Sequence, residues 1–206
     1  MQSNIFSPQI VSLRINSPVK GFIFDLDGTL ADTKLDFAKM CIDAGLPVGT
    51  KILEHCASLN DTGQVEQILS VVEQHELDGA NQASWILDAE IVLNKFKQAN
   101  IPMAIVTRNM REAALMTIER LGIPIDLVIT RDECLPKPDP DGLLMVSKQW
   151  NILPNELVYV GDYQFDLVAA KQAQMMACLI ANQTNQHLFE MADKVITTFD
   201  ELNELL

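Results

Sequence analysis

Lys20-Gly21-Phe22-Ile23-Phe24-Asp25-Leu26-Asp27-Gly28-Thr29-Leu30 is an apolar run that ends in two carboxylates and a glycine. Residues 20–26 read as a buried strand, closed by the turn-forming pair Asp27-Gly28. Similar apolar runs recur at 101–107, 127–130, 157–160 and 176–181, with a last short one at 194–196. Helical stretches separate them: 110–121, stopped by Gly122, then 139–150 and 165–174. In the second of these, Asp139 is expected as N-cap and Pro140 as the first helical residue. Strands alternating with helices predict an α/β fold, an open parallel sheet with helices on both faces.

One stretch breaks the alternation. Residues 34–77 have apolar residues at helical spacing, with breaks near 45–49 and 60–63, and helical character resumes over 83–98. The simplest account is a small helical insertion above the carboxyl edge of the sheet, the edge where ligands bind in such folds. The expected division is therefore a core of residues 1–31 and 86–206 with a helical cap of residues 32–85. An alternating patch at 10–15 is expected to add an edge strand.

Four polar motifs follow apolar strands: Asp25-Leu26-Asp27-Gly28-Thr29, Thr107-Arg108-Asn109, Lys137-Pro138-Asp139-Pro140, and Gly161-Asp162 with Asp166. A parallel sheet would gather all four at one edge. Asp25 and Asp27, at i and i+2, share a face of an extended segment. A carboxylate attacks phosphorus well when it is held in line and desolvated, and a second carboxylic acid can protonate the leaving alkoxide and then deprotonate water. Gly28 permits a sharp turn with amides free to meet phosphate oxygens. Thr107 offers a hydroxyl donor, and Lys137 a positive charge where charge builds on a transferring phosphoryl group. Arg108 and Asn109 follow Thr107 at the same edge and join Gly28, Thr107 and Lys137 as phosphate-binding candidates. Arg108 is expected to read a second anionic group of the substrate or to pair with an acid such as Asp32 or Asp36. Asp162 and Asp166 could ligate a hard cation together with Asp25. Carboxylates so gathered repel and take up protons unless a cation sits among them, and magnesium suits an oxygen donor set.

The net charge of −13 disfavours nucleic acid and anionic membranes as partners. No apolar stretch reaches membrane-spanning length, and no basic-then-apolar signal segment opens the chain. Four scattered cysteines, Cys41, Cys56, Cys134 and Cys178, have no metal-ligand spacing and fit free thiols in a reducing cytoplasm.

Taken in order, Asp25-Leu26-Asp27-Gly28-Thr29-Leu30, Thr107, Lys137-Pro138-Asp139-Pro140 and Gly161-Asp162-Tyr163-Gln164-Phe165-Asp166 resemble the motifs of the haloacid dehalogenase superfamily of hydrolases. The resemblance spans about residues 18–200, and the short cap looks most like phosphoglycolate-phosphatase-like members. It implies a Rossmann-like core, an inserted helical cap and Mg²⁺. It also implies roles: Asp25 as nucleophile and metal ligand, and Asp27 as general acid/base whose backbone carbonyl meets the metal. Thr107 and Lys137 would hold phosphate, Asp162 would bind metal, and Asp166 would touch the metal or brace the groups that do. Two departures stand out. Arg108 separates Thr107 from Asn109, where Thr or Ser is often followed directly by Asn, and Gln174 replaces the glycine usual after the last motif.

The implied activity is hydrolysis of a small phosphate monoester through an aspartyl phosphate. Asp27 argues against dehalogenation, in which no alkoxide needs a proton. A phosphomutase would share the whole core. A phospho-accepting receiver domain would carry its acidic pair on the first strand and its phosphorylated aspartate on a later one. A catalytically dead binding protein is disfavoured because every catalytic group is present.

Overall fold

β1, Gly21–Phe24, lies at the centre of a six-stranded sheet, and its Phe22, Ile23 and Phe24 are fully buried. The computed structural model describes residues 18–206, so the patch at 10–15 lies outside the described residues. After β1 the chain forms the two-residue strand β2, Ala31–Asp32, and then three helices: α1 (Phe37–Asp43), α2 (Ile52–Ser58) and α3 (Thr62–Gln82). The carboxylate of Asp36 accepts the Lys39 amide at the start of α1, and that of Asp61 accepts the Gly63 and Gln64 amides at the start of α3. Gly45 and Gly49 adopt positive φ between α1 and α2, where the sequence predicts a break. The apolar stripes of the three helices meet in a small core of their own: Met40, Cys41, Ile52, Cys56, Ile68 and Val72. The far end of α3 packs through Ala80 on Met110 and Ala113.

The next element corrects the expectation of a helix over 83–98. Ser84–Trp85 form a short strand, β3, antiparallel to β2, and the helix α4 spans only Ala89–Gln98. Backbone pairing with β2 and a hydrogen bond from the Trp85 indole to the Leu121 carbonyl (3.1 Å) hold this segment extended against its helical composition. The regular alternation follows: β4 (Met103–Val106), α5 (Arg111–Leu121), β5 (Leu127–Ile129), α6 (Asp141–Trp150), β6 (Leu157–Gly161), α7 (Gln164–Gln172), β7 (Met176–Ile180) and β8 (Lys194–Ile196). Gly122 ends α5 in the left-handed conformation, as expected. At α6 the cap is one residue later than predicted. Pro140 occupies the N-cap position and the Asp139 carboxylate takes the Asp141 amide at 2.9 Å.

All six strands run parallel in the order β5-β4-β1-β6-β7-β8. Alternate residues of β1 feed opposite layers. Phe22 and Phe24 pack with Val92, Leu93 and Phe96 of α4 and with Phe199 and Leu202, whereas Ile23 packs with Leu143 and Val146 of α6 and Leu167 of α7. The fold class is thus the expected one, helices on both faces of a parallel sheet. The chain leaves β1 toward β4 but leaves β6 toward β7, so the loops after these neighbouring strands diverge and open a crevice at their carboxyl ends. The register Phe24↔Val160 places Asp25 beside Gly161 at that crevice. No helix among the described residues is long and apolar enough to cross a membrane.

Candidate active site

The first residue past β1 is Asp25, buried under the crevice. Its Oδ1 lies 2.5 Å from Nζ of Lys137, on the loop before α6. The same ammonium donates at 2.7 Å to Asp166 Oδ1 and at 2.7 Å to the Tyr159 hydroxyl, so its three protons have three oxygen partners. Tyr159 in turn donates to the Val106 carbonyl at 2.9 Å. Asp166 stands in the first turn of α7, where its other oxygen accepts the Tyr163 amide at 2.9 Å. Burial opposes the charge on Lys137, but Asp166 and Asp25 overcome it and hold the ammonium protonated above its ordinary range. Tyr159 is a residue the sequence reading missed. The signal available was a phenol inside an otherwise apolar strand, since a buried hydroxyl needs partners.

Asp162 follows β6 and completes an acidic group: one oxygen each from Asp25, Asp162 and Asp166 lie within 4.8 Å of one another. Burial pushes the Asp25 carboxyl well up; Lys137 pulls it back, and Asp166, Asp162 and Asp27 push it further. Burial, then Asp166, raises Asp162 to about 7 against the pull of Lys137. Three carboxyls packed this closely around a single ammonium leave a deficit of positive charge that the ammonium does not cover. The donors are carboxylate oxygens throughout, so the cluster fits a hard divalent cation of the Mg²⁺ type. The backbone around Asp162 is pinned by Asn185, whose amide donates to the Asp162 carbonyl at 2.8 Å and to the Ile180 carbonyl at 2.9 Å. Gly28 meets this group at φ +86°, and a Cβ there would come 2.7 Å from Asp162 Oδ2, which only a glycine avoids.

Asp27 is braced separately. Its Oδ1 accepts from the Thr33 hydroxyl at 2.7 Å and its Oδ2 from the Asn109 amide at 3.1 Å. Burial raises this carboxyl, and the Thr33 and Asn109 bonds hold it partly down. Thr107, buried at the end of β4, accepts the Asn109 backbone amide on its hydroxyl at 3.1 Å. Asn109, placed among the phosphate-binding candidates, thus directs its amide to the second carboxylate.

Arg108 pairs with neither Asp32 nor Asp36. Both arms of its guanidinium reach Glu54 of α2, at 2.9 and 3.0 Å, and one arm also donates to the Lys137 carbonyl. The guanidinium lies 4.5 Å from the centre of the Phe165 ring. Asp32 instead pairs with Lys34, and Asp36 caps α1. The expected acids lie elsewhere because the α1–α2 turn brings Glu54 over the sheet edge. A second core-to-helix contact lies deeper, where Glu76 of α3 meets Arg131 at 2.5 Å and accepts the Met110 amide at 3.1 Å. Between α1–α3 and the sheet edge is a cleft of about 630 Å³ lined by all nine sequence-predicted site residues: Asp25, Asp27, Gly28, Thr107, Arg108, Asn109, Lys137, Asp162 and Asp166.

The sequence pattern described as haloacid dehalogenase-like hydrolase matches residues 22–180. A phosphoglycolate phosphatase of Photobacterium profundum is 28% identical over 183 residues, covering 75% of this chain and 80% of that protein. An uncharacterized hydrolase of Saccharomyces cerevisiae is 27% identical over 202 residues, covering 91% of each chain. The crystal structure of a hydrolase from Pseudomonas syringae superimposes with a TM-score of 0.75 at 22% identity, covering 91% of this chain and 98% of that one, a likeness of fold.

Proposed function

Because the chain belongs to the haloacid dehalogenase-like hydrolases, we propose that it is a magnesium-dependent phosphatase that cleaves small phosphate monoesters through a phosphorylated Asp25. The observation that carries this reading is the buried pairing of Asp25 with Lys137 (2.5 Å) two residues before a carboxyl braced by Thr33 and Asn109. Lys137 fixes one oxygen of Asp25 and leaves the other for attack. The bond from Asp25 to phosphorus forms as the ester P–O bond breaks, and the Asp27 proton passes to the leaving oxygen. In the second half Asp27 takes a proton from water, whose oxygen bonds to phosphorus while the Asp25–phosphorus bond breaks. Phosphate leaves and both carboxyls are restored. Raising Asp27 by burial keeps its proton available at a pH where an ordinary carboxyl has lost it.

Asp25, Asp162 and Asp166, with the backbone carbonyl of Asp27, would hold Mg²⁺, which supplies positive charge against the phosphoryl oxygens. Lys137, on exchanging one of its three present bonds, would receive the remaining phosphoryl oxygens with the Thr107 hydroxyl and the amides around Gly28. Residues 32–85 serve as a cap over a core of residues 1–31 and 86–206, limiting the cleft to the substrate and the water that Asp27 activates. The free thiols Cys41, Cys56, Cys134 and Cys178 fit a reducing cytoplasm. Phosphate release from a panel of small monoesters tests the reading. Release should require Mg²⁺, stop with excess chelator and return when Mg²⁺ is restored. Full activity in chelator contradicts the metal role, and a lasting phosphoprotein without turnover contradicts the hydrolase cycle.

A further inference from the structure

The wall of the cleft away from the acidic cluster is mostly apolar: Leu35, Phe37, Met40, Val48, Ile52 and Leu53 face it. Several of its charged groups are already paired. Lys34 pairs with Asp32, and Glu76 pairs with Arg131. Arg108 is the one arginine lining the cleft among the described residues, and it directly follows the phosphate-side Thr107. A guanidinium fork at that place suits a carboxylate or a second phosphate on the substrate. The fork is filled from within. Glu54 takes both arms at 2.9 and 3.0 Å, Phe165 stacks under the guanidinium at 4.5 Å, and the Lys137 carbonyl takes a further bond. Arg108 and Glu54 are each more than half covered, at 23% and 38% side-chain exposure, so the pair is sheltered. The remaining cation at the mouth, Lys51, is exposed and lies 5.1 Å from the centre of the same ring. A solvated point charge of that kind discriminates weakly.

We propose that Glu54 determines specificity: by occupying Arg108 it bars esters that carry a second anionic group and selects phosphate monoesters of uncharged, largely apolar alcohols. The proposal rests on the phosphatase reading given above. An anionic tail must displace Glu54 from Arg108 and leave a second carboxylate unpaired beside it, and such a like-charge penalty rejects a competing ligand as effectively as new contacts attract one. An uncharged tail leaves the pair intact and covers the apolar wall.

Matched substrates test this: phenyl phosphate against 4-carboxyphenyl phosphate, and butyl phosphate against its ω-carboxylate, each as kcat/KM with Mg²⁺. The wild type should favour the uncharged member of each pair by about tenfold or more. Glu54→Gln keeps length and stem but frees the fork, so it should shrink that preference about tenfold, mainly by lowering KM for the carboxylates. Arg108→Gln, which strands Glu54, should widen it. Melting temperatures separate these effects from loss of fold, and the wild-type ratio is informative without any variant. A wild type that favours the carboxylates or treats each pair alike overturns the proposal while the phosphatase reading stands. So does a ratio that Glu54→Gln leaves unchanged. No turnover of any ester, charged or not, removes both.

Discussion

Asp25 and Asp27 are the same residue type two positions apart, yet their surroundings differ. Asp25 faces an ammonium and two further acids, while Asp27 faces a hydroxyl and an amide. The first setting suits a nucleophile that must become an anion near a cation, and the second suits a carboxyl that keeps and returns a proton. Asp27→Asn should therefore slow alkyl phosphates far more than activated aryl phosphates, because only the alkoxide needs the proton. A loss of ~10²–10⁴-fold on the alkyl esters is expected, with much less on p-nitrophenyl phosphate. Equal losses in steady-state kinetics on the two would contradict the acid role. The carboxylates, Thr107 and Lys137 were legible in the sequence because each follows an apolar strand that a parallel sheet brings to one edge. Thr33, Tyr159 and Glu54 were not. Each acts through a partner that only the folded chain supplies: Thr33 on Asp27, Tyr159 on Lys137, and Glu54 on an arginine from another element.

At the scale of single elements, periodicity located the helices and strands but not every end. The short β2–β3 pair escaped notice because two-residue strands have no period to read, and their stability comes from each other and from the Trp85 indole bond. The end of α7 shows the opposite case. Gln174 departs from the glycine of the related motif, yet it adopts φ 61°, the glycine conformation. Its amide bonds to the Lys171 carbonyl and that of Met175 to the Ala170 carbonyl, the double bond pattern of a left-handed helix stop. Glutamine has a side chain where the conformation favours none, at a cost of roughly 1–2 kcal/mol. Gln174→Gly should therefore raise stability by about 0.5–1 kcal/mol, allowing for the greater freedom of glycine in the unfolded chain. Urea denaturation checks it, and an unchanged or lower midpoint contradicts the account.

For the whole molecule, the sheet order decides where chemistry can occur. Diverging loops after β1 and β6 open the crevice, and the inserted helices close it from above through Arg108–Glu54 and Glu76–Arg131. The alternation of strands and helices was readable in the sequence, as was the insertion that breaks it. The manner in which the insertion docks was not, because both ion pairs join residues more than fifty positions apart whose charges alone are ordinary surface signals. In the proposed reaction the buried carboxyl at the end of β1 is the group that receives the phosphoryl. Asp25→Asn preserves size and sheet context but removes the attacking oxygen anion and one metal charge. The most direct measurement is the steady-state rate of phosphate release by Asp25→Asn with saturating Mg²⁺, alongside its melting temperature. The expected result is a folded protein whose rate has fallen at least ~10³-fold, about 4 kcal/mol of barrier. A folded variant that keeps a tenth of the wild-type rate would contradict it.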